Sequence, residues 1–195
     1  MKKRLCATLA LLAVSLAGCV PLVLESKSTY FATSEYSYPL ADGVYVLGTP
    51  MSAPAKIARE ANHITITTTN DDGKEVALIG GLIALATPGH FIFQVTDGIE
   101  SGKPADKTPE EATYVPMRIM SSGEVHWYMG PKGSNKDCDA FLLAHGFRPR
   151  DYGAWDHPKD FSKEQLKAFY EDLAPLLDRS PDTWEAVKMM RVTKS

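Results

Sequence analysis

The side chains best suited to chemistry in this chain of 195 residues are its three cysteines and five histidines. Cys138 sits in Asp137-Cys138-Asp139-Ala140-Phe141-Leu142, near the expected start of a helix. There the helix dipole and free N–H groups lower a thiol pKa and favour a nucleophile. Two flanking carboxylates push the other way. Burial of the Phe141-Leu142-Leu143 face would also hide the sulfur, so the expected thiol pKa is at or above ~8.5. His63, His90, His126, His145 and His157 form no HExxH or HxH pattern, and no C-x-x-C pair accompanies them, so no metal and no cofactor is expected. His126 alternates with Trp127 and is expected on a solvated strand face. His145 is expected at a helix end, where a cation suits the dipole. Ile79-Gly80-Gly81-Leu82 and Met129-Gly130-Pro131-Lys132-Gly133-Ser134 complete neither GxxxxGK[ST] nor GxGxxG, and no GxSxG elbow is present. Cys19 stands apart from all of these. It follows the basic head Met1-Lys2-Lys3-Arg4, the apolar run Leu5 to Leu16, and the small residues Ala17 and Gly18. That order describes an export signal. Its apolar run is shorter than the roughly 20 residues a spanning helix needs.

Leu16-Ala17-Gly18-Cys19 resembles the lipobox of bacterial membrane lipoproteins. The resemblance implies that the Cys19 thiol is alkylated with a diacylglyceryl group and that the signal is cut after Gly18, with the new amino group usually acylated. Ser15-Leu16-Ala17 also has the A-x-A shape of an ordinary secretory site cut after Ala17. One acyl chain anchors marginally, at about 0.8 kcal/mol per buried methylene, whereas two or three hold stably. The membrane, reached through the lipid on Cys19, is therefore the expected partner. Val20 rather than Asp follows Cys19, which by the enteric rule favours the outer membrane, facing the periplasm. Loss of residues 1–18 leaves 18 basic against 24 acidic side chains, a net charge of −6. With Cys6 removed and Cys19 lipidated, Cys138 is the one remaining thiol and cannot close an internal disulfide.

A second resemblance supplies the enzymatic alternative. A strand-borne histidine, His90, ahead of a helix-borne cysteine, Cys138, resembles the permuted branch of the NlpC/P60 superfamily of cysteine hydrolases and acyltransferases. It implies His90 as base and Cys138 as nucleophile. The chain departs from that superfamily at Asp139-Ala140, where small, polar or aromatic residues are usual. The leading expectation is a non-catalytic binding or assembly module with no catalytic residue.

The elements around these residues form an ordinary globular domain. The chain is 44% hydrophobic and 23% charged, which excludes disordered and collagen-like classes. A pI near 6.0 argues against nucleic acid as a partner. Residues 1–18 read as signal, 19–38 as lipidated cysteine and Ser/Thr/Tyr-rich tether, and 39–195 as one domain, β-rich over 41–129 and mostly helical over 134–195. His63–Thr69 alternates apolar and polar, Asn70-Asp71-Asp72-Gly73 turns, and Glu75–Ile79 returns. Phe91, Phe93 and Val95 share one face of the next strand. Val115, Met117 and Ile119 should face Val125, Trp127 and Met129 across one core. Leu78–Ala86 reads as a buried strand-turn-strand passage around Gly80-Gly81. Ser134 or Asn135 should cap a helix stopped by Gly146. Ser162-Lys163-Glu164-Gln165 is a capping box ahead of a Leu166, Phe169, Tyr170, Leu173, Leu176, Leu177 face, and Ser180-Pro181 should restart a short helix. The expected fold is α+β: an antiparallel, curled or barrel-like β meander followed by C-terminal helices. The sheet aromatics Phe91, Phe93, Tyr114, Trp127 and Tyr128 would either fill such a barrel or enclose an apolar cavity, as lipocalin-like barrels do. The Gly-x-Trp signature of true lipocalins is absent near the first strand. An apolar ligand or an envelope protein is the expected further partner.

Overall fold

The computed structural model describes residues 22–48, 53–69, 73–104, 111–132, 136–149, 155–158 and 161–192. The alternating segments do become strands: β1 (Leu24–Ser26), β2 (Gly43–Leu47), β3 (Ala55–Glu60), β4 (His63–Thr69), β5 (Glu75–Ala84), β6 (His90–Glu100), β7 (Lys103–Pro104), β8 (Ala112–Ile119) and β9 (Val125–Pro131). Helix α1 (Lys136–Ala144), the small pair β10 (Arg148–Pro149) and β11 (Trp155–Asp156), and helix α2 (Lys163–Arg179) follow, and the chain returns as β12 (Trp184–Arg191). Eight strands close on themselves in the order β8-β9-β12-β2-β3-β4-β5-β6, with β6 pairing back to β8. All of these pairings are antiparallel. Closure leaves the barrel strands without free edges.

The molecule is mostly β, with its helices inserted ahead of the last strand rather than ending the chain. Ser180-Pro181 starts a single 3-10 turn, Pro181–Thr183, and Trp184–Arg191 is β12, not a helix. Glu, Ala, Lys, Met and Arg are good helix formers, but intrinsic propensity is a weak prior. The gap between β9 and β2 can be filled by this segment alone, and filling it completes the hydrogen bonding of both neighbours.

The barrel interior is packed. Ile57, Ile64, Ile66, Leu82, Phe93, Val115, Met117, Val125, Trp127 and Met189 interdigitate there, each buried. Met117 pairs with Trp127 and Ile119 with Val125, as the alternation predicts, whereas Val115 and Met129 are not paired with each other because the β8–β9 ladder covers only Met117 to Ile119. Gly80-Gly81 makes no turn. It lies within the continuous strand β5, where the register to β6 slips between Ile79 and Gly80 as a bulge. A Cβ on Gly80 would stand 2.0 Å from the Gln94 carbonyl oxygen, and one on Gly81 would stand 2.1 Å from the Tyr36 ring.

A second core lies outside the barrel, where α1 and α2 cover part of the sheet. Leu166, Phe169, Tyr170, Leu173 and Leu177 are the buried stripe of α2, as the helical spacing predicts. The capping box forms: Gln165 N–H donates to Ser162 Oγ at 3.2 Å, and Ser162 N–H donates to Gln165 Oε1 at 2.9 Å. Helix α1 ends in a Schellman turn. Gly146 has φ of +81°, Gly146 N–H donates to Leu143 O and Phe147 N–H donates to Leu142 O. The residues expected to cap α1, Ser134 and Asn135, lie outside the described residues. No helix among the described residues is long and apolar enough to cross a membrane.

Candidate functional site

Cys19 and Gly18, with the rest of the lipobox, lie outside the described residues. The chain that follows them does not read as a loose tether. Leu22, Leu24 and Phe31 are buried, and β1 pairs with β8 from Leu24–Tyr114 to Ser26–Ala112. β6 occupies one flank of β8, and on the flank that β1 shares, β8 pairs with β9 only from Met117 to Ile119, so the two strands splay toward the start of β8. β1 enters that splay, and Leu22 N–H donates to Met129 O of β9 at 2.7 Å.

Four polar side chains fix this strap. Gln94, fully buried on β6, accepts from Phe31 N–H at 3.0 Å and donates to Phe31 O at 2.9 Å and to Tyr36 Oη at 2.7 Å. Tyr114 Oη accepts from Tyr30 N–H and donates to Ser28 O. Tyr170 Oη lies 2.9 Å from Leu22 O and 2.8 Å from Tyr114 O, so its one proton serves both carbonyls. Lys163 pairs with Glu35 at 2.7 Å, and the Tyr30 hydroxyl donates to Phe161 O. Burial drives the Tyr114 and Tyr170 hydroxyls well above their ordinary value, so both stay protonated donors. In the sequence Gln94 is one residue of a strand and Tyr170 one residue of an apolar helix face, and neither position signals a contact with the strap; the density of Tyr30, Phe31, Tyr36 and Tyr38 in a stretch otherwise resembling a linker does.

The two residues of the enzymatic alternative have different surroundings. Cys138, on α1, is 2% exposed. Its thiol is pushed up to about 11, first by burial and then by Asp139 and Asp137. It is therefore protonated near neutral pH, as its acidic neighbours predict. His90, on β6, is 1% exposed, and its Nε2 lies 2.9 Å from Asp178 Oδ1 at the end of α2. Burial holds the His90 pKa below its ordinary value against the pull of Asp178, with Arg118 adding to the depression. The charges acting on His90 are thus Asp178 and Arg118, and those acting on Cys138 are Asp137 and Asp139.

His90 belongs to a constellation that sequence spacing does not reveal. The register sets His90 opposite Arg118, Arg118 opposite His126, and His126 opposite Lys188, a row of four basic side chains across β6, β8, β9 and β12. Asp178 meets both His90 Nε2 and, at 2.8 Å, Arg118 NH2. Glu124 meets His126 Nε2 at 2.8 Å. His126 is 8% exposed, against the solvated position expected of it, because it packs edge-on against Tyr128 and beside Glu124. The row clasps the end of α2 to the barrel. No group of three or more His, Cys, Asp or Glu side chains among the described residues is arranged to hold a metal ion.

Comparison with protein-family models, with curated proteins and with solved structures finds no match to this chain.

Proposed function

We propose that this protein is a lipid-anchored component of the bacterial cell envelope, held through Cys19 on the outer membrane and facing the periplasm, where it acts as a non-catalytic binding or assembly module. The observation that carries the reading is Leu16-Ala17-Gly18-Cys19 behind a basic head and a short apolar run. Two structural features support the non-catalytic part. The Cys138 thiol is buried and protonated. The barrel's inward side chains are buried against one another, which supports recognition at the outer surface.

Incorporation of labelled palmitate tests the anchor. The wild type should label and Cys19→Ser should not, because a hydroxyl does not replace the thiol in lipid transfer. Equal labelling of the two would overturn the reading. Alkylation by iodoacetamide tests the absence of catalysis. Cys138 in the folded protein should react slowly from pH 5 to 9 and quickly on unfolding. Rapid labelling at pH 6, abolished by His90→Ala, would instead establish the cysteine-hydrolase alternative.

A further inference from the structure

Four of the five large apolar side chains exposed among the described residues lie together. Val44 and Val46 project from the outer face of β2, at 44% and 46% exposure, and Met190 and Val192 from that of β12, at 57% and 47%. Met190 is directly opposite Val46, and Val192 N–H donates to Val44 O, so the four form one block. Two exposed lysines border it on the same face. Lys56 of β3 is opposite Val44, and Lys188 precedes Met190 by one pleat. Asp42, two residues before Val44, is the nearest carboxylate and accepts from Arg59 N–H at 2.8 Å, while Glu60 beside His63 and Glu124 beside His126 lie further out.

The described part of the strap runs back toward the same end of the barrel. β1 is antiparallel to β8, and β8 to β9, so β1 runs parallel to β9. Traced backward from Leu24 to Leu22, the chain heads toward Val125 of β9, the residue paired with Met189 of β12. Cys19 is three residues before Leu22, a span of at most about 11 Å. Leu22 N–H donates to Met129 O, between the Tyr128–Ala186 and Gly130–Glu185 pairs. Four to five residues of β12 at about 3.3 Å each, and two strand spacings of about 4.8 Å, separate it from Met190.

We infer that the Val44, Val46, Met190, Val192 face rests on the phospholipid surface that holds the Cys19 lipid, so that the barrel is seated in one orientation rather than swinging on a linker. The inference rests on the lipoprotein reading above. An apolar block with lysines at its border suits the membrane interface, where the apolar groups enter the acyl boundary and the ammonium groups stay with lipid phosphates. Four half-exposed side chains provide only a few hundred Å², well below the ~800 Å² per partner of a stable protein interface. That area is enough to orient a domain that its lipid already concentrates at the surface.

The test uses the mature acylated protein in phosphatidylethanolamine/phosphatidylglycerol vesicles, with mass spectrometry of the same sample to establish the lipid on Cys19. An environment-sensitive fluorophore is placed by Val44→Cys or, as a control on the exposed side of α2, by Lys167→Cys. Cys138 is buried and does not compete for the label. Quenching by spin-labelled lipid should be several-fold stronger at position 44 than at position 167. Met190→Asp in the Val44→Cys background should abolish that difference while leaving acylation and the thermal melt unchanged. Equal quenching at the two positions, with acylation intact, would overturn the seating and leave the anchor standing. Shielding of position 44 that appears only at high protein-to-lipid ratio, with crosslinks between copies, would assign the face to a second copy and overturn it as well. A Cys19 without acyl chains would overturn the anchor, and this inference with it.

Discussion

The two cores of the molecule are built on different principles. The barrel interior is sealed by hydrogen-bonded backbone on every side, and its side chains need only alternate and fit. The outer core is an aromatic assembly in which Phe169 stands within 5.1 to 6.0 Å of the rings of Phe141, Phe147, Phe161 and Tyr170. It also buries polar atoms: the Tyr114 and Tyr170 hydroxyls contact the backbone of the N-terminal strap. The inner core holds itself together, whereas the outer core joins three separate segments to it. What the contrast teaches is where a defect should spread. A hole inside the barrel stays inside it, and a hole outside releases the strap.

The largest effects should come from one truncation in each core. Phe93→Ala inside the barrel and Phe169→Ala outside it should each cost about 3–5 kcal/mol, through lost burial and a residual cavity. If the cores are one cooperative unit, both variants melt in a single step. A two-step melt for Phe169→Ala, with the barrel surviving the first, would show the cores to be separable. Leu173→Ala, mid-stripe on α2 and fully buried, should cost about 2–5 kcal/mol on the same grounds.

Next in size is the junction between the two regions. Gly80→Ala forces a methyl against the Gln94 carbonyl, which is backbone and cannot yield, so a loss of about 1–3 kcal/mol is expected. Gln94→Ala leaves Phe31 N–H and C=O without their side-chain partner, at a cost of about 1–3 kcal/mol. The sharper readout for Gln94→Ala is limited proteolysis. Cleavage within residues 27–38 should accelerate while cleavage within the barrel does not. Unchanged strap protection would mean that the tyrosines alone hold it.

Acid should weaken the outer region selectively. Burial lowers the pKa of His90, His145 and His157, with nearby carboxylates opposing in each case. Their folded values lie below the unfolded value near 6.5. Below that pH the unfolded chain binds protons that the folded chain refuses, so the stability present above about pH 6.5 is lost as pH falls through the folded values. Urea midpoints should therefore drop between pH 7 and pH 5, and His145→Phe, in a ring cluster with Phe141 and Phe169, should flatten that slope. A slope that His145→Phe leaves untouched would place the acid sensitivity elsewhere. At the small end, Lys167→Ala on the exposed side of α2 should change stability by under about 0.5 kcal/mol.

The sequence by itself determined the features whose physics is local. Strict alternation in His63–Thr69 and Thr113–Ile119 specifies which side chains fill the barrel, because the pleat has period two. The capping box at Ser162 and the stripe to Leu177 specify α2 and its buried face, because turn spacing and the first free N–H groups involve neighbours only. Gly146 marks the end of α1 because its positive φ suits glycine best. The tertiary structure alone decided what joins distant segments. Gln94 meets Phe31 across 63 residues, and His90 meets Asp178 across 88. No local period encodes either pairing, because spacing says nothing about where strands and helices meet. Trp184–Arg191 is made of helix formers and becomes a strand because the barrel lacked one. Gly80-Gly81, which on paper breaks a strand, is where the Gln94 backbone and the Tyr36 ring press closest. In each case the deciding energy comes from a surface that exists only after the rest of the chain has folded.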